Sequence, residues 1–399
     1  MFRLNVIDNR NKQDVIYFNH HTFKFFRKID NAYIPLEHKY SIFSNSKVEP
    51  TIITVVLGYN CNNKCVYCTQ RKFKDDKCDI YKLRYYIDTL IKEFPSIQNL
   101  HFIGGEPLLE FDTIINLVMH YDKRFKYSII TNGLHINREI ASFLIANNFE
   151  VTISHDGESQ LLQRGRDIFN PLYPEFKTIQ MLSKRVTLHI ESVLCGDSTT
   201  TKERWEYFSR LPIDINTVYV KPVIPYKKEH ISLVPGQHDW KQYLTQLIMD
   251  VYEINSRYDW DRGDSNLILD MVRMLANTET KYDSKRTRCP IFNKNIFTIN
   301  QGGYIQYCHN CSAHIDEVQT IKFMRKDRVK ECVSCPLVLT CTSACRLLDD
   351  DCFKITCTRK FHHNLAYFIY FVHQTFGYVI TSIEGEFKHA VNGKFEIAT

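Results

Sequence analysis

Thr51-Ile52-Ile53-Thr54-Val55-Val56-Leu57 runs directly into Gly58-Tyr59-Asn60-Cys61-Asn62-Asn63-Lys64-Cys65-Val66-Tyr67-Cys68. The first half is apolar and β-branched, the make-up of a buried strand. The second half gathers three cysteines on one tight loop at the spacing C-x3-C-x2-C. Three thiolates on such a loop can hold three irons of a [4Fe–4S] cluster and leave the fourth iron without a protein ligand. An open iron is a site for chemistry, whereas a fully ligated cluster mostly moves electrons.

Working outward, strand and helix patterns alternate. Strands are predicted over 51–57, 99–103, 126–130, 149–154, 186–193 and 217–223. Helices are predicted over 79–94, 111–121, 137–147, 174–183 and 202–210. Alternation with short connections argues a parallel sheet with helices outside. The fold class is therefore α/β, with six units forming an open, partial (β/α)6 barrel. In such a sheet ligands sit at the carboxyl ends of the strands. Gly104-Gly105-Glu106-Pro107 follows one strand end, Thr131-Asn132-Gly133 the next, and Ser154-His155-Asp156-Gly157 the one after. The glycines permit close approach of backbone to a ligand, and Glu106 offers an acceptor for an ammonium group. Ser154 and Asp156 suit ribose hydroxyls or neighbouring backbone. Arg164 and Arg166 carry guanidinium groups suited to a carboxylate, with a surface salt bridge as the competing use of each. His155 reads as a packed or capped histidine rather than an acid–base catalyst, and Cys78 and Cys195 as ordinary thiols.

Taken together, the cysteine triplet and Gly104-Gly105-Glu106-Pro107 resemble the radical S-adenosylmethionine (SAM) enzymes. The resemblance implies that SAM chelates the open iron and is cleaved by one electron to methionine and a 5′-deoxyadenosyl radical, which abstracts hydrogen from a substrate. It also implies that Tyr67 lies near the adenine, that Gly104 to Pro107 hold the SAM amino group, and that Arg164 or Arg166 binds the SAM carboxylate. A reducing electron donor such as flavodoxin or ferredoxin is the implied partner.

Nine of the fourteen cysteines lie between Cys289 and Cys357. Core packing does not account for that clustering, because buried free cysteines usually occur singly. Cys289, Gly303-x4-Cys308 and then Cys332-x2-Cys335-x5-Cys341-x3-Cys345, followed by Cys352 and Cys357, resemble the SPASM domain, which holds two auxiliary [4Fe–4S] clusters. A zinc site is the competing reading, but zinc knuckles usually come as matched pairs. The resemblance implies three [4Fe–4S] clusters in all. Cys332, Cys335, Cys341 and a final cysteine, Cys357 or Cys352, would bind the outer auxiliary cluster. Cys289, Cys308 and Cys345 would bind the inner one, its fourth iron falling to Cys311, to Asp283 or to no residue.

The expected domains are an N-terminal extension (1–50), the partial barrel (51–235), bridging helices (236–282), the SPASM region (283–360) and a C-terminal helix and tail (361–399). Within them, helices are predicted over 237–256, 265–277 and 361–376, and hairpins around Gly302-Gly303 and in 377–399. Net charge is +6 over 399 residues, too mild and too spread to argue nucleic-acid binding. No run of eighteen apolar residues occurs, so no membrane span is expected. The N-terminus has no signal-peptide core, and a reducing, cytoplasmic setting leaves thiols free for metal. The expected substrate is a precursor peptide or a protein, most simply a ribosomal peptide that is crosslinked or cyclised. Formylglycine formation in a sulfatase and modification of a nucleoside or nucleic acid are the alternatives. Tyr- and Phe-rich residues 1–45 would present a strand edge to an extended leader peptide.

Overall fold

The computed structural model describes residues 1–37, 50–70, 73, 78–196, 200–236, 239–256, 296–308, 311–314, 332, 334–337 and 348–397. Cys289, Cys341, Cys345, Asp283, the helix expected over 265–277 and the basic runs at 71–72 and 322–330 lie outside these residues. The chain divides into two compact units.

The first unit takes residues 1–47, 227–289 and 322–399. Strands β1 (Phe2–Asp8), β2 (Gln13–Asn19), β3 (Lys24–Ile29) and β4 (Ala32–Leu36) form a meander. The chain's last two strands, Tyr378–Glu384 and Lys394–Glu396, complete a six-stranded sheet, with Tyr378–Glu384 antiparallel to β1. The expected hairpin of the tail is present, and it is built onto the N-terminal segment rather than standing alone. Alternation explains the pairing: Phe2, Leu4, Val6, Ile16, Phe18 and Phe25 are all buried. They pack with Phe368, Phe371, Ile380 and Ile383 in one apolar core. The helix expected over 361–376 begins eleven residues earlier and spans Asp350–Phe376. Its start is fixed by Asp349, whose side chain accepts from the Cys352 N–H, and its end by left-handed Gly377. The acidic first turn, Asp350-Asp351, suits the positive end of the helix.

The second unit, residues 48–226 and 290–321, carries the parallel sheet. Strands β5 (Ile52–Val56), β6 (Asn99–Ile103), β7 (Lys126–Thr131), β8 (Glu150–Ser154), β9 (Thr187–Leu194) and β10 (Thr217–Pro222) match the predicted strands to within a residue or so at each end. All five neighbouring pairs are parallel and in sequential order. The connecting helices are α1 (Ile80–Glu93), α2 (Phe111–Tyr121), α3 (Arg138–Ala146), α4 (Gln160–Gln163), α5 (Pro174–Ser183) and α6 (Thr201–Ser209). Helix α7 (Trp240–Ser256) belongs to the first unit, and Asp350–Phe376 is α8. Side-chain caps set several starts: Asp79 for α1, Asn137 for α3, and a reciprocal Thr200–Glu203 capping box for α6.

One addition to the barrel was not predicted. In the expected hairpin, β11 (Ile296–Asn300) lies parallel to β5, and β12 (Ile305–Cys308) and β13 (Cys311–His314) follow it antiparallel. A strand from the cysteine-rich region thus extends the sheet that carries the first cysteine loop. The tail strands are β14 (Tyr378–Glu384) and β15 (Lys394–Glu396). Gly303 explains the glycine of Gly303-x4-Cys308: its φ is +81°, and a Cβ there would stand 2.4 Å from the Lys82 Cβ of α1. Among the described residues, no helix is long and apolar enough to cross a membrane.

Candidate functional site

The ends of β5 to β9 converge on the cysteine loop. The Leu57 N–H donates to the Ile103 carbonyl, so the loop leaves β5 in register with β6. The Gly105 and Glu106 N–H groups then donate to the carbonyls of Gly58 and Asn60, at 3.0 and 2.8 Å. A Cβ on Gly104 would lie 2.5 Å from the Gly58 oxygen, and one on Gly105 2.3 Å from the Asn60 oxygen. The two glycines therefore bring the end of β6 against the cysteine loop.

Glu106 also braces the neighbouring backbone. Its carboxylate is buried and accepts from the Leu108 N–H, the Thr131 hydroxyl and the Asn132 N–H, at 3.0, 2.7 and 2.7 Å. It ties the end of β6 to the end of β7. Burial pushes its pKa up to about 7, against those three donors. Pro107 opens the short 3-10 turn that Glu106 caps.

Asn132 is the residue whose part the sequence did not show. Its amide donates to the Asn62 side chain at 2.7 Å and lies 3.7 Å from the Cys61 sulfur. The Asn63 N–H also points at that sulfur, at 3.4 Å. On the other flank, Arg164 donates through Nε to Asp156 at 2.8 Å and reaches to 3.8 Å from the Cys65 sulfur. Both partners are buried. Tyr67 donates its hydroxyl to the same Asp156 oxygen, and the Arg164 guanidinium lies 5.4 Å from the Tyr67 ring centre. The second Asp156 oxygen accepts from the Val193 N–H at 2.8 Å. Tyr67, Asp156 and Arg164 thus form one closed cluster under Cys65. Arg166 goes elsewhere, to a 2.8 Å salt bridge with Glu175. Ser154 is half-buried at the end of β8, opposite Glu191 in the β8–β9 register.

His155 is fully buried, as a packed histidine should be. Its Nδ1 accepts from the Gly157 N–H at 3.0 Å, so the proton sits on Nε2 and is donated to Asp167 at 2.8 Å. The ring stacks on Phe169 with centres 4.4 Å apart. Burial lowers its pKa, against the opposing pull of Asp167.

The donor set fits an iron–sulfur cluster. Cys61, Cys65 and Cys68 are all half-buried thiols on one loop, and the Cys68 N–H closes the Cys65-x2-Cys68 turn on the Cys65 carbonyl at 3.2 Å. Without metal, burial raises the Cys65 thiol to about 11 and raises Cys61 too. Metal deprotonates ligating thiols, and the N–H groups of Asn63, Asn132 and Arg164 are placed to stabilise the resulting sulfur charge.

Of the C-terminal cysteines, Cys332 and Cys335 are half-buried and share the same turn, with the Cys335 N–H on the Cys332 carbonyl at 3.1 Å. Cys352 is sealed in the core at the start of α8. Cys357 is half-buried, its sulfur 3.9 Å from His389 Nε2. Cys78 is exposed and Cys195 buried. Cys308 and Cys311 are placed by their backbone in β12 and β13.

Comparison with known proteins agrees with this geometry. Residues 55–185 match the Radical SAM superfamily. The chain is 25% identical over 188 residues to the radical SAM cyclopropyl synthase TigE of Paramaledivibacter caminithermalis, covering 42% of this chain and 39% of that one. It is 29% identical over 168 residues to a cysteine-type anaerobic sulfatase-maturating enzyme of Clostridium novyi, covering 34% and 44%. The chain thus spans about two-fifths of the length of these relatives. The solved structure of native anSMEcpe with bound AdoMet and Cp18Cys peptide matches with a TM-score of 0.57 at 18% identity, over 82% of this chain and 99% of that one. That likeness is one of fold.

Proposed function

We propose that this chain, whose residues 55–185 match the Radical SAM superfamily, is a peptide-modifying radical SAM enzyme with two auxiliary clusters, acting on a ribosomal precursor peptide. The observation that carries the reading is the cysteine loop itself. It is seated on β6 by Gly104 and Gly105, and its Cys61 and Cys65 sulfurs are flanked by Asn132 and Arg164. When bound, the cluster and SAM supply one-electron chemistry that ends in hydrogen abstraction; the protein positions them.

Cys61, Cys65 and Cys68 would hold that cluster. Tyr67, Ser154 and Asp156 would face the nucleoside side of SAM, and Arg164 its carboxylate, from the cluster that now fixes Arg164 on Asp156. Gly104 to Pro107 would act by fixing the loop. In the auxiliary region, half-buried Cys357 suits the outer cluster better than Cys352, which is sealed in the core. An external reductant, a flavodoxin or ferredoxin, would deliver the electron in a cytoplasmic setting.

A peptide substrate is supported by what the similar proteins are described as doing or binding: maturation of a sulfatase, and a bound peptide in the matching solved structure. The sheet edge for a leader would be β4, an outer strand whose residues Ala32 to Pro35 are exposed. The test is anaerobic release of 5′-deoxyadenosine under reductant, with and without candidate precursor peptides encoded beside this gene, read alongside the peptide's mass. Release that a peptide stimulates, together with a mass change in that peptide, is the expected result. Release stimulated only by a nucleotide would overturn it.

A further inference from the structure

Among the described residues, the largest side chain that the fold seals away is a charged one. Arg204 of α6 is 1% exposed. Its Nη2 donates to the Gln163 side-chain oxygen and to the Val193 carbonyl, both at the long distance of 3.4 Å. Its Nε and Nη1 have no hydrogen-bond partner. Asp156 pulls on it electrostatically, but the salt bridge of Asp156 goes to Arg164. Burial lowers the pKa of Arg204, against that pull, and an arginine still keeps its proton. A buried charge held this loosely is costly.

Both groups that Arg204 touches lead to the first cysteine loop. Gln163 takes the Val66 N–H on its backbone carbonyl at 2.9 Å, and Val66 directly follows Cys65. Val193 gives its N–H to Asp156 at 2.8 Å, and Asp156 holds Arg164, which reaches the Cys65 sulfur. In this group one carboxylate, Asp156, faces two guanidiniums, Arg164 and Arg204. The excess charge is positive and lies on the Cys65 flank. Ligating cysteines are thiolates, so the loaded loop brings the negative charge that balances it. A fixed positive charge in a buried site also favours an added electron.

We infer that Arg204 is a positioning residue whose buried charge raises the reduction potential of the cluster held by Cys61, Cys65 and Cys68. This rests on the first-cluster reading above.

The test is EPR-monitored potentiometry of full-length protein, reconstituted anaerobically without SAM. The first-cluster signal is the difference between each chain and its counterpart carrying Cys61→Ala/Cys65→Ala/Cys68→Ala. Arg204→Met removes the charge and should lower the potential, so that the reduced fraction at a fixed potential falls several-fold. Arg204→Lys keeps the charge and should shift it less. Thr201→Asp sets a carboxylate three residues before Arg204, a neighbouring position on α6, in place of a buried hydroxyl that has no partner. It should lower the potential with Arg204 still present. An unchanged potential in Arg204→Met, or a fall in Arg204→Lys as large as in Arg204→Met, overturns the inference. Where Arg204→Met fails to load iron, an unchanged potential in Thr201→Asp overturns it. Loading by Arg204→Lys alone supports a role for the charge, whereas loss of first-cluster iron in all three variants overturns it, because packing then suffices. Wild-type iron equal to that of the triple cysteine variant is a different failure: it removes the first-cluster reading, and the inference with it.

Discussion

Replacing Gly105 with alanine puts a methyl group where the structure has no room. The new Cβ would lie 2.3 Å from the Asn60 carbonyl oxygen and 2.4 Å from that of Tyr59, both backbone. To reach even 3.0 Å the cysteine loop must retreat by about 0.7 Å, and the Glu106 N–H bond to Asn60 is then stretched or lost. Overpacking of this kind costs about 1–3 kcal/mol, and the hydrogen bond about 1 more. A loss of about 3 kcal/mol lowers Tm by about 6–12 °C for a unit of this size. Gly196→Ala is the control. Its φ is +71° with no atom within 4 Å, so it carries only a left-handed backbone penalty of about 1–2 kcal/mol. The assay is thermal melting of the metal-free chain together with iron content after reconstitution. Gly105→Ala should melt well below Gly196→Ala and lose most of its first-cluster iron. Equal melting and full iron in Gly105→Ala would refute the idea that β6 seats the loop.

Three further outcomes follow from the same site. Glu106 has a folded pKa of about 7 against an ordinary value of 4.5, raised by burial; its contribution to stability is therefore full below pH 4.5 and lost as pH rises through 7. Glu106→Gln should flatten that fall, worth up to about 3 kcal/mol, in urea midpoints taken at pH 5 and pH 8; an unchanged difference between the two would contradict it. Asp156→Asn strands the buried Arg164 charge and should cost about 3 kcal/mol, read as a drop in Tm, while also shifting the EPR signature of the first cluster through Arg164 and Cys65. His155→Phe should destabilise the protein by about 1–2 kcal/mol through its two lost hydrogen bonds. It should leave the pH dependence of 5′-deoxyadenosine release between pH 6 and 8 unchanged, whereas loss of one limb of that profile would make His155 a proton carrier.

The parallel sheet was legible because each strand is a short apolar run bounded by turn residues, and each helix carries its own cap. Contacts distant in sequence were not. Nothing local in Phe2–Asp8 says that its partner is Tyr378–Glu384; both alternate, and alternation names a face but not a neighbour. The same holds for β11 beside β5. The start of α8 at Asp350 is marked by Asp349-Asp350-Asp351, a cap and an acidic first turn, but it falls inside the cysteine-rich stretch, where the predicted helix begins only at 361. At the site, the motifs mark the strand ends, and the structure adds what lies beside them. Gly104, Gly105 and Glu106 follow β6 and brace the cysteine loop and the neighbouring strand. The pairing of Asn132 with Cys61, and of Arg164 with both Asp156 and Cys65, depends on which strand ends lie side by side, and spacing alone does not carry that.

The proposed function calls for three [4Fe–4S] clusters on this chain, one of them open to SAM. Iron and labile sulfide per chain, measured anaerobically on wild type and on the Cys61→Ala/Cys65→Ala/Cys68→Ala variant, test it most directly. About twelve irons falling to about eight is the result predicted. About four irons, all lost in the variant and accompanied by zinc, would contradict it.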